Sequence, residues 1–543
     1  MLYKTTLLTK FVWKVVTMRI KQAVRSLFIF LLLTIPVFGA DVYILAGGSG
    51  SGAHWNDALD DLPGSLTRGN TYYIGEGTYS GYNFDDAESG SSFITIRKCA
   101  TGDGTCENAT GYTSSEHDGQ AVFGSLTFSK GYFTFDGGET ATDTYGFKIN
   151  GPTGDVSSQA IHIYDGGAAI SNITLKSIEV YFSASSNSRG IKFNGGLNED
   201  CLVEHVKIYN TGDDAFLLHS LKDSTINDIH IEGRNTIDDT HADAFEIQEG
   251  VASPGNVTIK NSRINFNGQG VFWGEWPASP DHGVWYIYGN MFWNASGVSP
   301  GNDNTSIKNR SGNPPVEVYI YNNSFYNTLR PYSLGSAVTG DIRNNVIYAM
   351  TATPPSASAG SATHDYNYYE TGDSIAESNG QTGGDPYNDS VGGDYTLSAA
   401  LNAGDSTIGA TYNTDMYGNT RGADGTWDRG ALEYSTGGDV TAPIVTISNN
   451  DPEGIGFDTL AISGTATDAV GVTECKFRIG SAPDESNGTT ITGTTAWSGT
   501  ATGFSEGDNT LYVGCDDAAN NWGVDSITVN LVDSNAIQGM TIN

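Results

Sequence analysis

Between Arg189 and Trp276 the chain gathers Asp213, Asp214, Asp238, Asp239, His241, Asp243 and Glu246, seven side chains able to carry protons or hold cations. They sit in a repeated phrase: TGDDAFLLHS from Thr211, THADAFEIQE from Thr240 and NGQGVFWGEW from Asn267. Written in register, Asp214 and Asp243 occupy one place, with Arg189 one repeat earlier. Equivalent carboxylates ~5 Å apart on stacked coils repel unless one keeps a proton or a cation lies between them. A shared proton makes an acid/base pair at the spacing of retaining glycoside cleavage. A shared cation makes an oxygen-ligated Ca2+ site, for which Asp213, Asp214, Asp239 and Asp243 are the candidates. The catalytic candidates are Asp214, Asp243, Asp213, His241, Arg189 and Lys192. The competing reading is that these aspartates cap turns by accepting local backbone N–H groups.

A second line comes from aromatic residues. Trp273, Trp276, Trp285 and Trp293 follow directly, with Tyr286 and Tyr288 among them. Flat rings beside carboxylates suit sugars, whose C–H faces stack on π-faces while their hydroxyls meet charge. Glu246, Trp273, Trp276 and Trp285 are therefore the substrate-binding candidates, against the alternative that the tryptophans pack inside.

Elements that could position such a cluster follow from the spacing. Phe216, Phe245 and Phe272 step by 29 and 27 residues, and Ile191 precedes them by 25. A period in this range denotes a solenoid in which no repeat buries its apolar face alone. The unit is a short alternating strand followed by Gly, Asn and Ser, which excludes helical repeats. The expected fold is all-β: a right-handed parallel β-helix with a small C-terminal β-sandwich. In the frame used here Phe216, Phe245 and Phe272 stack inside, while Lys192, Leu217, Glu246 and Trp273 form one outward column. Further strand-like cores run from Ile173, Cys201, Ile226, Asn256, Val284, Val316, Asp341 and Asp365. Asn261, Gly289, Asn322 and Asn344 recur at one turn, where residues tolerant of left-handed backbone belong.

The chain of 543 residues has a formal charge of −35, so neither nucleic acid nor an anionic membrane is an expected partner. Arg19, Lys21 and Arg25 precede a short apolar run from Leu27 to Ile35 and a small-residue exit at Gly39-Ala40. That order reads as a secretory signal over 1–40, too short to span a bilayer, with Met18 an alternative start. A secreted monomer without membrane insertion is expected. Cys99 and Cys106 could close a Gly-rich loop, Cys475 and Cys515 could join two strands, and Cys201 reads as a small core residue.

From Asp41 the segments VYILAGGSGSGAHWNDALDDLPGSL, FITIRK and AVFGSLTFSKGYFTFDGG resemble the opening coils of secreted bacterial β-helix proteins of the pectate-lyase-like superfamily. The resemblance implies a cap over the first coil at Trp55–Leu66 and a closing segment at Asp394–Tyr434, where Asp424, Asp428 and Arg429 are structural. It covers 41–434. After a linker at 435–440, the strands of 441–534 resemble bacterial immunoglobulin-like modules. Gly212-Asp213-Asp214 is similar to the Gly-Asp-Asp of polygalacturonase-type hydrolases, whose Asn-Thr-Asp, Gly-His-Gly and Arg-Ile-Lys phrases are absent. Lyases of this fold imply a basic residue instead, for which Arg189, Lys192, Lys308 and Arg310 are available. The expected partner is a polysaccharide, uronate-containing in the leading reading, cleaved by elimination or hydrolysis. The alternative is a non-catalytic glycan-binding or adhesive surface protein; a phage-type tail spike is disfavoured by the signal peptide.

Overall fold

The computed structural model describes residues 39–532, apart from 100–103, 118, 139–144, 154–156, 184–187, 220, 233–241, 249–254, 275–281, 295–303, 311–315, 352–357, 372–375, 392, 402, 424, 435–441, 469–470, 484–486 and 518–520. Contacts divide the chain into two units, Met1–Tyr434 and Ser435–Asn543. The expected signal segment lies almost wholly outside the described residues, as do Asp238, Asp239, His241, Trp276 and Asp424.

The first unit is a parallel β-helix. One parallel sheet of ten strands runs from Tyr82–Phe84 to Ser358–Ala359, and a larger sheet of 23 strands forms the remaining walls. In each coil, alternate residues point into a continuous core of Ile, Val, Leu and Phe. Phe216 pairs with Phe245 across neighbouring strands and their rings stack inside, 4.8 Å apart. Ile191 lies one coil earlier in the same ladder, as expected.

The ladder then departs from the expected frame by one residue. Phe245 pairs with Val271, Glu246 with Phe272 and Ile247 with Trp273. Side chains alternate along a strand, so a shift of one exchanges every inward residue for an outward one. Trp273 is consequently fully buried in the core, and Phe272, expected inside, takes the outward place expected for Trp273. A column of small residues marks the true register: Gly190, Ala215, Ala244 and Gly270 each precede the first inward residue of their strand. Their backbones pass closely from coil to coil; a Cβ on Gly270 would stand 2.3 Å from the Ser306 carbonyl oxygen.

At the expected turn column, Asn261, Gly289, Asn322 and Asn344 all have positive φ, between 51° and 66°. One place later lies a buried ladder that the sequence reading missed. Asn290, Asn323, Asn345 and Asn367 each present Oδ1 to the backbone N–H of the preceding rung, over 2.9–3.0 Å. Glu377 closes it, accepting from the Asn367 backbone and amide. Asn345→Ala strands several of these groups in a water-free interior, where each unmet bond costs about 1–3 kcal/mol. A loss of about 2 kcal/mol in denaturant midpoint analysis is expected; an unchanged midpoint would show the ladder to be dispensable.

Of the expected cap, Leu62 and Leu66 pack into the main core, whereas a short 3₁₀ turn at Trp55–Asp57 packs in a separate cluster beside it. Trp55 packs on Tyr43 and His117 and donates Nε1–H to the Cys106 carbonyl. Cys99 and Cys106 form a disulfide there, and Cys201 is a buried free thiol. In the closing segment Asp428 accepts from the Tyr434 N–H, and Arg429 donates to the carbonyls of Tyr366 and Ala403. Both are structural.

The second unit folds separately around Ile462, Trp497, Leu511 and Val513. It consists of a three-stranded and a five-stranded sheet. Cys475 and Cys515, directly paired across adjacent antiparallel strands, form its disulfide. Among the described residues no helix is long and apolar enough to cross a membrane.

Candidate active site

The outer face of the ten-stranded sheet carries the cluster. Arg189, Asp214 and Asp243 each stand two residues before the aligned Ile191, Phe216 and Phe245; Arg189 opens its strand, and the two aspartates lie just ahead of theirs. This is the column the repeat implied. At that place the backbone turns into the strand, and an Asp side chain can accept the N–H of the next coil. Asp214 Oδ1 accepts from the Asp243 N–H at 3.2 Å, and Asp243 Oδ1 from the Gln269 N–H at 2.5 Å. Turn capping is therefore one part of what these residues do.

Their other oxygens face further charge. Arg189 Nε lies 2.8 Å from Asp213 Oδ2 and 3.1 Å from Asp214 Oδ2, so one guanidinium serves two carboxylates. Across the column, oxygens of Asp214, Asp243 and Glu246 lie within 4.8 Å of one another. Glu246 was expected as a substrate contact; the structure makes it the third carboxylate. Asp214 and Asp243 are wholly buried, whereas Asp213 is 4% and Glu246 8% exposed. Of the three clustered carboxylates, only Glu246 reaches the surface.

Burial raises the Asp214 pKa well above the usual carboxylate range, and the charges of Glu246, Asp213 and Asp243 push the same way. Arg189 opposes the shift without cancelling it. A carboxyl group in this position retains a proton at pH values where a free aspartate has lost it. The folded state then binds more protons than the unfolded chain between the unfolded pKa near 3.9 and the raised native one. Stability contributed by Asp214 is accordingly present at acid pH and lost as pH rises through that window. Asp214→Asn should flatten this decline in a series of denaturation midpoints from about pH 4 to neutrality. A slope identical to that of the parent protein would place the proton elsewhere.

Around the carboxylates runs an outward column of His162, Lys192, Leu217, Glu246, Phe272 and Lys308. Leu217 and Phe272, both nearly buried, stand on either side of Glu246. Lys308 Nζ lies 5.1 Å from the Phe272 ring centroid, a cation–π contact. Arg310 donates to the Gly274 carbonyl at 2.8 Å. Burial lowers the Lys192 pKa, helped by the charge of Arg189 and opposed by Asp214 and Asp213.

Two residues that the sequence reading did not single out complete the polar network. The Gln248 side chain donates to Glu246 Oε1 at 2.7 Å and its Oε1 meets His219 Nε2 at 2.9 Å. Burial, then the charge of Lys192, pushes both His162 and His219 down to about 4, leaving them neutral near pH 7. A neutral His219 with its proton on Nε2 sets the orientation of Gln248, which in turn aims a donor at Glu246. Their signal was available: Leu218 aligns with Ile247, so His219 and Gln248 are neighbours.

The tryptophan expectations need correction. Trp273 and Trp285 do not face a ligand; both are fully buried, their rings 5.8 Å apart at 87°. Trp285 opens the alternation Val284–Tyr288, whose inward places are Trp285 and Ile287. Large apolar rings are worth more inside the coil than at its surface. Trp293 packs on Tyr395, and Tyr286 and Tyr288 lie on the larger sheet. Of the expected metal ligands, Asp214 and Asp243 are brought together, Asp213 is held by Arg189, and Asp239 lies outside the described residues, as do His241 and Trp276.

No family model matches the chain, and no curated protein matches it. Among solved structures, fibronectin(III)-like modules of Clostridium thermocellum CbhA are similar over 19% of this chain at 16% identity, with a TM-score of 0.15. The match spans about half of that chain, 54%. A mutant tailspike protein of E. coli bacteriophage HK620 in complex with a pentasaccharide is similar over 90% of this chain and 86% of its own, at 10% identity and a TM-score of 0.29. A double mutant of the same tailspike has the same coverage and identity, with a TM-score of 0.23. The fold assignment rests on the strand register described above.

Proposed function

We propose that this is a secreted polysaccharide-cleaving protein, acting by hydrolysis at the Asp214–Asp243–Glu246 face of the β-helix. The observation that carries the reading is the carboxylate trio within 4.8 Å, in which burial and neighbouring charge raise the Asp214 pKa well above the usual carboxylate range. Glu246, the least buried member, is the group that meets the glycosidic bond, and Asp214 behind it is the proton store. Arg189 holds Asp213 in place through the contact at 2.8 Å, and Gln248 with His219 orients Glu246.

A second reading is elimination on a uronate-containing glycan, with Lys192 as the base. Its support is the lowered proton affinity of Lys192 beside Arg189, since a lysine becomes a base near neutrality only when burial or like charge depresses it. Calcium belongs to this test too. An oxygen-rich set suits that ion, with Asp214, Asp243 and Glu246 as the ligands brought together here.

The test is incubation of the purified protein with a panel of neutral and acidic polysaccharides, with calcium and with chelator. New reducing ends without an absorbing product indicate hydrolysis, whereas an unsaturated, absorbing product indicates elimination. Binding without either product would leave a glycan-binding or adhesive protein, a reading favoured by the burial of Trp273 and Trp285.

A further inference from the structure

On the same outward face, three coils before Glu246, stands Tyr164. Its coil is fixed by register: His162 pairs with Lys192, Lys192 with Leu217 and Leu217 with Glu246. Tyr164 follows His162 by two residues and so faces the same way. Three rungs at the sheet spacing, with two residues along the strand, place the two sites ~16 Å apart. Tyr164 is 38% exposed, while most aromatic residues of this coil stack are buried. The ring is nonetheless held: it lies parallel to His162, 5.1 Å away and 2° from coplanar. Gly195 adjoins it at φ 91°, and a Cβ there would meet Tyr164 Cδ2 at 3.2 Å. A side chain at 195 would crowd the ring, so the glycine leaves this edge bare. The neighbouring Asp165 is tied to Lys130 by an ion pair, which secures the strand end carrying the tyrosine.

We propose that Tyr164 is a distal sugar-binding platform, stacking a pyranose ring of the same polysaccharide whose cleaved bond lies at Glu246. The proposal rests on the cleavage site proposed above. A rung of the helix is close to the length of one sugar unit, so the two points are separated by about three units of a chain running along the stack. Between them Lys192, Asn194 and His219 offer polar groups to hydroxyls. A neutral His162 supports the tyrosine from behind without placing a charge beneath it. The platform makes the protein an endo-acting reader of long chains, with affinity that rises once the glycan reaches the third rung.

The experiment uses two oligosaccharide ladders graded from the disaccharide upward, one of galacturonate and one of neutral glucan. Binding is measured by calorimetry on the Glu246→Gln variant, with and without Tyr164→Ala, and cleavage on the Glu246 parent. Expected is a rise in affinity at about four units, lost in Tyr164→Ala by roughly tenfold and retained in Tyr164→Phe. Shorter oligosaccharides should bind both forms equally. Cleavage with no length threshold, or an equal effect of Tyr164→Ala on short and long chains, overturns the platform and leaves the cleavage reading intact. A Tyr164-dependent threshold without cleavage by the parent does the reverse. Failure of both ladders to bind overturns the platform for these sugar classes.

Discussion

Glu246→Gln folds like the parent protein and cleaves its glycan 10²–10⁴-fold more slowly, the expected cost of losing one acid–base group. The substitution keeps the size and the contact with Gln248 and removes only the ability to exchange a proton. Asp214→Asn should fall in the same range, because the proton store behind Glu246 is emptied. Asp243→Asn is the informative companion: its Oδ1 accepts the Gln269 N–H, an interaction an asparagine oxygen can keep. Reducing-end assays on one substrate, with circular dichroism to show folding, compare the three. If Glu246→Gln and Asp214→Asn both retain full activity, the chemistry lies on another part of the molecule.

Arg189→Met is expected to destabilise the β-helix by about 3 kcal/mol at neutral pH, since removing one partner of a buried ion pair strands the other charge. Here the guanidinium serves Asp213 at 2.8 Å and Asp214 at 3.1 Å, and because burial already pushes Asp214 toward its protonated form, Asp213 is the partner left unmet. The deficit should shrink at acid pH, because protonation of Asp213 removes the charge that lost its partner. Adding Asp213→Asn to Arg189→Met should recover part of the loss at neutral pH. Urea midpoints of the two variants at two pH values decide the matter. A pH-independent deficit would mean that Arg189 acts through packing of its stem and not through its charge.

The site was partly legible before any coordinates. Asp214 and Asp243 share the repeated phrase, and a repeat in a stacked coil makes equivalent positions neighbours; Arg189 follows by the same logic one coil earlier. Glu246 was visible as an outward residue, but its approach to the two aspartates was not, because it comes from a different position along the strand. The repeated phrase aligns Gln248 with His219, but its own residues do not show that the amide bridges the histidine to Glu246. The expected sugar contacts Trp273 and Trp285 failed for different reasons. Trp273 was set in the wrong frame, and Trp285 was judged by its type and not by the alternation of its strand.

What the sequence determined by itself is the coil: alternating short strands at a steady period, Asn and Gly at the turns, and cysteines at reach of each other. These features act locally or between successive repeats, so their meaning survives without knowledge of the loops. What only the tertiary structure decided is which way each residue faces after Phe245. The phrase from Asn267 matches its predecessors almost equally well in two frames one residue apart, and a strand's faces exchange with every such step. Hydrogen bonds between coils choose the frame: the Phe245 N–H reaches the Gly270 carbonyl and the Gly270 N–H that of Thr305. In that frame Val271 completes the interior ladder, Trp273 turns inward and Phe272 comes to lie beside Glu246, which closes the apolar flank of the carboxylate cluster.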